Sequence, residues 1–449
     1  MASNSERGTT RRGEITRRTA MAALGAMGLA GSAAQRAAAQ GGVTLRWWST
    51  QSVPAQLEAY KFQIATFEAA NPGIKVVFEP TSNETYAAQL AAAFASGQVP
   101  NVVTHLPSFA VSNYWRSGLL EPFDEVIQMV GADKFYPGAN RIYELTKGVH
   151  AGAGIGGTAA NSLWLRTDLM QKHGIASAPT TWDELRAAAK KMQGGGIYGA
   201  PLPYAKNSMT TLIFICFVHG AGGQVFTSDL QVAIDSKETL NALEFYKSMR
   251  ELCPPGATGY SWGESLTAFV SGATATGIYT GRVLANVNAQ NPSLKDAITC
   301  TTYPTIAANV PSWTFNDFPS IFIPKAAKDM AATKKFAAHI YAPEGYIKQM
   351  HAAPGHVLPV LKTIADDPKY LDNPIIAKYP KEVKIMAAAS AGGFNLGFET
   401  AQHKTNDKAG EIVNSGVIAE MVQRVCLNDE DPKKVLGETA QRIEKIAKG

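Results

Sequence analysis

Apolar and polar positions alternate along "VTLRWW" (Val43–Trp48), the period of a half-buried β-strand. Leu57, Tyr60, Ile64 and Phe67 follow at spacings of three, four and three, which is one face of a helix. Asn71-Pro72-Gly73 stops that helix, and "IKVVFEP" (Ile74–Pro80) predicts a second strand. Such a unit normally gives parallel strands with a right-handed crossover. A second helix through Tyr86, Leu90 and Phe94 and a strand at Val102–Thr104 extend it to an open α/β sheet.

The alternation resumes further on. Asn161–Leu165 reads as a strand and Thr167–His173 as a helix. "PTTWDELRAAAKKM" (Pro179–Met192) predicts a helix with a capping box, Thr181 and Glu184 each satisfying a free backbone N–H, and with Trp182 packed at its start. Leu240, Leu243, Tyr246 and Met249 mark a helical face within Ser236–Leu252. Glu264–Gly272 predicts a helix running into a strand at Thr276–Tyr279, and two amphipathic helices close the chain.

Between the two runs lies "HAGAGIGGTAANSLWLRTDL", in which Gly152, Gly154 and Gly157 form a literal G-x-G-x-x-G. A dinucleotide fingerprint needs a strand before the glycines and a helix opening at them. Here the order is loop, strand, helix. The acids at a plausible distance, Asp183 and Glu184, already serve the helix start. The glycines therefore indicate backbone that bends or lies close to something.

Residues 1–40 differ from the rest. Arg17 and Arg18 precede an uncharged Ala/Gly/Leu/Met stretch and an A-x-A pattern at Ala37–Ala39, the plan of a twin-arginine signal peptide. The stretch is too weakly apolar for a membrane anchor, and no cysteine offers a lipid attachment there. Six arginines and two glutamates give this segment +4 of the total +5, leaving about +1 for the remainder. That balance argues against nucleic acid or an anionic membrane surface as partner. The roughly 409 residues beyond the leader are too many for one compact core and imply two domains. Cys216, Cys253, Cys300 and Cys426 form no C-x-x-C pair; disulfides and buried free thiols both remain open.

No H-E-x-x-H, G-x-S-x-G or Walker A loop occurs. His351 and His356 are five apart across Pro354-Gly355, which is not a helical ligand pair. No catalytic set, metal site or cofactor is expected.

Several stretches together resemble the extracellular solute-binding proteins of ABC importers, in the group similar to maltose-binding protein. They are "LRWWS" with "FEAANPGIKVVFEP", "NSLWLRTDLMQKHGIASAPTTWDELRAAAKKM" (Asn161–Met192), "SLTAFVSGATATGIYTGR" (Ser265–Arg282) and "SIFIPKAAK" (Ser320–Lys328). The resemblance implies an α/β, type II-like periplasmic binding protein fold of two hinged, interleaved lobes. The expected division is a signal peptide at 1–39, first lobe at 40–155 and 316–357, and second lobe at 156–315 and 358–449. The glycine loop is then the first passage between lobes. A second is expected near Trp313–Phe318 and a third near Gly355–Pro359.

Sugars have apolar faces for aromatic rings and hydroxyl edges for polar side chains. By fold analogy, cleft positions lie at the carboxyl ends of strands. That nominates Trp48, Gln51, His105, Asn161, Tyr204, Trp262, Gly281, Arg282, Trp313, Asn316 and Phe394. Core packing is the competing role for each aromatic, and for Trp47 parity with Val43 and Leu45 favours it. The resulting expectation is a monomeric periplasmic receptor that binds a sugar, polyol or related glycoside and delivers it to an inner-membrane ABC permease, without catalysis. The alternatives are an exported carbohydrate-active hydrolase, a receptor for an acidic sugar or glycerol-phosphate-type solute, and an oxidoreductase using the glycine loop.

Overall fold

Strand β1 (Val43–Ser49) buries Leu45, Trp47 and Ser49 on one face, as alternation dictates. The computed structural model describes residues 42–449 apart from 52–53, 83–84, 160–161 and 391–393, so the expected leader and Asn161 lie outside the described residues. Helix α1 (Pro54–Ala70) lays Tyr60 and Phe67 against β1, with the Tyr60 ring 4.5 Å from Trp47. Strand β2 (Ile74–Pro80), helix α2 (Tyr86–Ser96), strand β3 (Val102–Thr104) and helix α3 (Ser108–Arg116) follow. β2 and β3 both pair parallel with β1. Trp47 is fully buried, its indole N–H donated to Thr104 Oγ1 at 2.9 Å.

The chain leaves this sheet through β4 (Ala153–Gly154) and reaches β5 (Thr158–Ala159) and β6 (Ser162–Arg166). None of the loop glycines 152, 154, 156 and 157 has positive φ. A Cβ on Gly152 would meet Ile321 O at 2.6 Å, and one on Gly156 would meet Val357 Cγ1 at 2.2 Å. These glycines serve close packing of protein against protein. Of the two roles the sequence left open, bending or close approach, these contacts and the ordinary φ angles favour close approach.

Helix α4 (Trp182–Met192) opens with the expected Thr181–Glu184 capping box, and Trp182 stacks on Phe245 at 4.7 Å. Helix α5 (Ser208–Gly220) is buried from Met209 to Gly220 and has no polar face. Helices α6 (Lys237–Ser248) and α7 (Trp262–Val270), strand β7 (Thr276–Tyr279), helix α8 (Arg282–Gln290) and strand β8 (Ile298–Thr302) complete the second lobe's central part. Its sheet has the order β7-β6-β8, antiparallel throughout. All four cysteines are free and buried; burial pushes the Cys216 and Cys253 thiols up to about 12.

β9 (Asn316–Asp317) and β10 (Ser320–Phe322) carry the chain back. β10 inserts between β3 and β4, giving the first sheet the order β2-β1-β3-β10-β4. Helices α9 (Met330–His339) and α10 (Pro343–His351) then cover it, Phe336 reaching Trp47 at 5.5 Å. Past Gly355 the chain stays with the first lobe longer than the expected boundary at 357/358. Leu361 bridges to Phe135, and Val360 O accepts from Tyr136 N at 2.9 Å. The same segment touches the second lobe at Gly355 and His356, and packs on it further through α11 (Pro374–Lys378) and α12 (Pro380–Ser390): Tyr379 donates to Lys295 O at 2.6 Å, and Glu382 accepts from Thr299 at 2.7 Å. The terminal helices α13 (Val417–Cys426) and α14 (Pro432–Lys448) pack together, and α13 lies against α5. Among the described residues no helix is long and apolar enough to cross a membrane.

Candidate functional site

The short β5–β9 pair lies where the chain passes between the lobes, with Thr158 opposite Asp317 and Ala159 opposite Asn316. Asn316 is fully buried and donates through Nδ2 to Ser390 O at 2.7 Å. Its backbone N–H donates to Phe394 O at 2.8 Å, and its carbonyl accepts from Asn395 Nδ2 at 3.2 Å. Asn395 Nδ2 also lies 3.5 Å from Ser108 Oγ at the start of α3. Three separate chain segments therefore meet at one polar point.

Asp317 is the chemically distinctive group there. It is half-buried, and its Oδ1 accepts from the Ser108 backbone N–H at 3.2 Å, at the positive end of α3. Burial pushes its carboxyl above the usual range, and the Ser108 hydrogen bonds pull it part of the way back. No lysine, arginine or histidine pairs with it among the described residues. The Tyr86 hydroxyl is raised first by burial and then by the Asp317 charge, which places that hydroxyl near the carboxylate. Asp317 has acceptor capacity left over beyond the Ser108 N–H and hydroxyl, while the Thr158 hydroxyl donates to its backbone carbonyl at 3.1 Å.

A second group sits at the edge of the second lobe. A Cβ on Gly281 would lie 1.8 Å from Gly355 O, so only glycine permits this contact between α8 and the end of α10. Thr280 Oγ1 and His356 Nδ1 are 2.9 Å apart. Burial, and secondarily the Arg282 charge, push His356 down to about 3, so its ring is neutral at pH 7. Arg282 itself is exposed, and its guanidinium makes no hydrogen bond or ion pair among the described residues. Burial pushes the Tyr279 hydroxyl up, and the Arg282 charge offsets part of that; the Tyr279 ring meets Trp262 edge-on at 5.7 Å. Ser162 pairs with Tyr279 and Ala159 with Asn316, and the chain spans at most ~11 Å between those two residues. The two groups therefore flank one short stretch of the first passage.

The other expected residues have the following surroundings. Trp48 is half-buried on the first sheet, its Nε1 donated to Glu79 at 2.7 Å and its ring under Arg46. Gln51, also half-buried, accepts from Gln56 at 3.0 Å. His105 has φ of 65° and turns into the first lobe's core, 3.1 Å from Gln349 and 3.3 Å from Ser49; burial pushes it down to about 3. Tyr204 is enclosed in the second lobe, its hydroxyl donated to Tyr246 O at 3.0 Å. Trp313 stacks on His219 at 4.2 Å and donates to Glu399 O at 2.7 Å. His105, Tyr204 and Trp313 are buried with polar atoms bonded to protein, whereas Trp48 and Gln51 keep part of their surface exposed. Phe394 is half-buried at the crossing, 6.0 Å from Phe398. Asp317, Tyr86, Ser108, Thr158 and Asn395 were not expected. The available signal was Asp317 itself, an acid set between aromatic residues in "WTFNDF".

Residues 50–347 match the family model described as bacterial extracellular solute-binding protein. A protein of Escherichia coli (strain K12) bearing the name "Putative ABC transporter periplasmic-binding protein YcjN" is 25% identical over 393 residues, 85% of this chain and 88% of its own length. The maltose-bound MalE3 of T. maritima superposes with a TM-score of 0.74 at 21% identity, covering 90% of this chain and 100% of that one. An ABC transporter solute-binding protein of Agrobacterium radiobacter K84, in complex with ribitol, gives 0.73 at 20% identity, covering 90% and 99%. The two-lobe periplasmic binding protein fold is common to them and this chain.

Proposed function

The chain belongs to the bacterial extracellular solute-binding proteins, and from that premise we propose that it binds a neutral sugar or polyol between its lobes. Asp317 carries the reading. A half-buried carboxylate with free lone pairs and no cation is matched by a ligand offering O–H donors, and it repels an anion. The Tyr86, Ser108 and Thr158 hydroxyls extend the same chemistry. On the second lobe, Trp262 and Tyr279 offer ring surface and Arg282 offers donors. A solute touching both groups favours the closed arrangement, because only closure makes both sets of contacts at once.

In this reading the chain is a monomeric receptor exported by the Arg17-Arg18 leader to the periplasm. It hands an unchanged solute to an inner-membrane ABC permease. The curated relative's name and the maltose- and ribitol-bound structural neighbours support that role. The test is a thermal-shift screen of the purified protein against neutral saccharides, polyols, sugar acids and amino acids, with the solute analysed afterwards. A solute at 100 times its Kd adds about 2.7 kcal/mol of stability. The expected result is a rise in Tm with one neutral sugar or polyol, recovered intact. A shift with sugar acids alone, or consumption of a glycoside, overturns the proposal.

A further inference from the structure

Phe318 follows Asp317 directly, just past the end of β9. Beside it lies a cavity of about 530 Å³, walled by Leu358, Ile376 and Val383 as well as Phe318. That size falls within the range of ordinary small-molecule sites. Its polar groups are few. Tyr370 is 2% exposed, and its hydroxyl has no hydrogen-bond partner among the described residues. The ring is held in place by His351, stacked at 5.8 Å, whose Nε2 lies 2.8 Å from Tyr370 O. The Tyr136 hydroxyl and the Asp366 carboxylate share this wall, with Tyr136 acting on Tyr370 and Asp366 acting on Tyr136. Lys384 balances Asp366 in charge.

We propose that this cavity behind the crossing strands is a second binding site, taking a neutral molecule with an apolar ring body and one hydroxyl. The aliphatic and aromatic walls match the ring. The single carboxylate and single ammonium leave no net charge to attract an ion. A buried hydroxyl without a partner is matched by one oxygen-bearing group. The cavity does not include Asp317 in its walls, although Ser390, which lines it, accepts from the neighbouring Asn316.

The test is equilibrium dialysis of the purified protein with 2-naphthol and, in parallel, naphthalene. The expected result is one saturable site for 2-naphthol. Tyr370→Phe weakens 2-naphthol at least threefold and leaves naphthalene unchanged, because only the hydroxyl contact is lost. Ala387→Trp, which fills the cavity from α12, removes binding of both, with circular dichroism reporting that the variant folds. Where it does not fold, Val383→Phe takes its place. Absence of saturable binding, or binding that survives Tyr370→Phe and the filling variant undiminished, overturns the proposal.

Discussion

Glu399 and Asp317 are both carboxylates set among apolar neighbours, yet they are provided for in opposite ways. Glu399 is 1% exposed and accepts from His219 Nε2, Val225 N and Phe226 N, each at 2.8 Å. Its acceptor capacity is spent on protein. Asp317 accepts from a single residue, the Ser108 backbone N–H at 3.2 Å and the Ser108 hydroxyl, and meets no cation among the described residues. Burial alone does not separate a structural acid from a binding one; the number of donors the protein already supplies does.

The sharpest way to break this contrast is Glu399→Gln. The amide keeps one acceptor oxygen but turns an NH2 toward donors that faced the other, and stability should fall by roughly 1–3 kcal/mol, read by chemical denaturation. Solute affinity of the folded fraction should stay unchanged. Asp317→Asn should do the reverse, weakening solute binding at least ~10-fold, since hydrogen bonds to charged groups contribute roughly 1.5–3 kcal/mol. Its effect on the solute-free protein has a definite sign. The folded carboxyl titrates above the unfolded one, so its contribution favours folding at low pH and is lost as pH rises through the folded value. Asn does not ionise, so the variant should melt higher than the parent at neutral pH, and the gap should close as acid is added. A variant that melts lower at neutral pH makes Asp317 structural after all.

Smaller effects sharpen the same comparison at the lobe edge. Gly281→Ala places a methyl against Gly355 O and should cost about 1–3 kcal/mol in stability or in solute affinity, whichever state needs the contact. Arg282→Ala should weaken solute binding about threefold to tenfold with little change in Tm, because the guanidinium is exposed and has no hydrogen bond or ion pair among the described residues. An affinity equal to the parent's removes Arg282 from the proposed site.

Much of the secondary structure was legible because contrast along the chain was strong. The alternation of β1, the Tyr60–Phe67 face of α1 and the Thr181–Glu184 box of α4 each announce a half-buried element with an exposed side. Helix α5 was missed for the complementary reason. "SMTTLIFICFVHG" is enclosed by α6 and α13, so it has no polar face and periodicity finds nothing to measure. The candidate site was legible only in part. Asn316, Gly281 and Arg282 were placed from their position beside expected passages. Trp48, His105, Tyr204 and Trp313 were also nominated by strand ends and residue type, but their partners lie 31, 244, 42 and 86 positions away in the chain.

Periodicity, caps and turn residues act over a few neighbouring positions, so most elements and their order were written in the chain. It also marked the glycine loop as a place of close approach. Only the tertiary structure decided what approaches, where the third passage falls, and which polar groups are spent on protein. Each of these depends on donors and backbone brought from distant segments: Ser108 to Asp317 across 209 positions, Gly355 against Gly281, Tyr136 to Val360. Hydrogen-bond saturation is a property of the assembled neighbourhood.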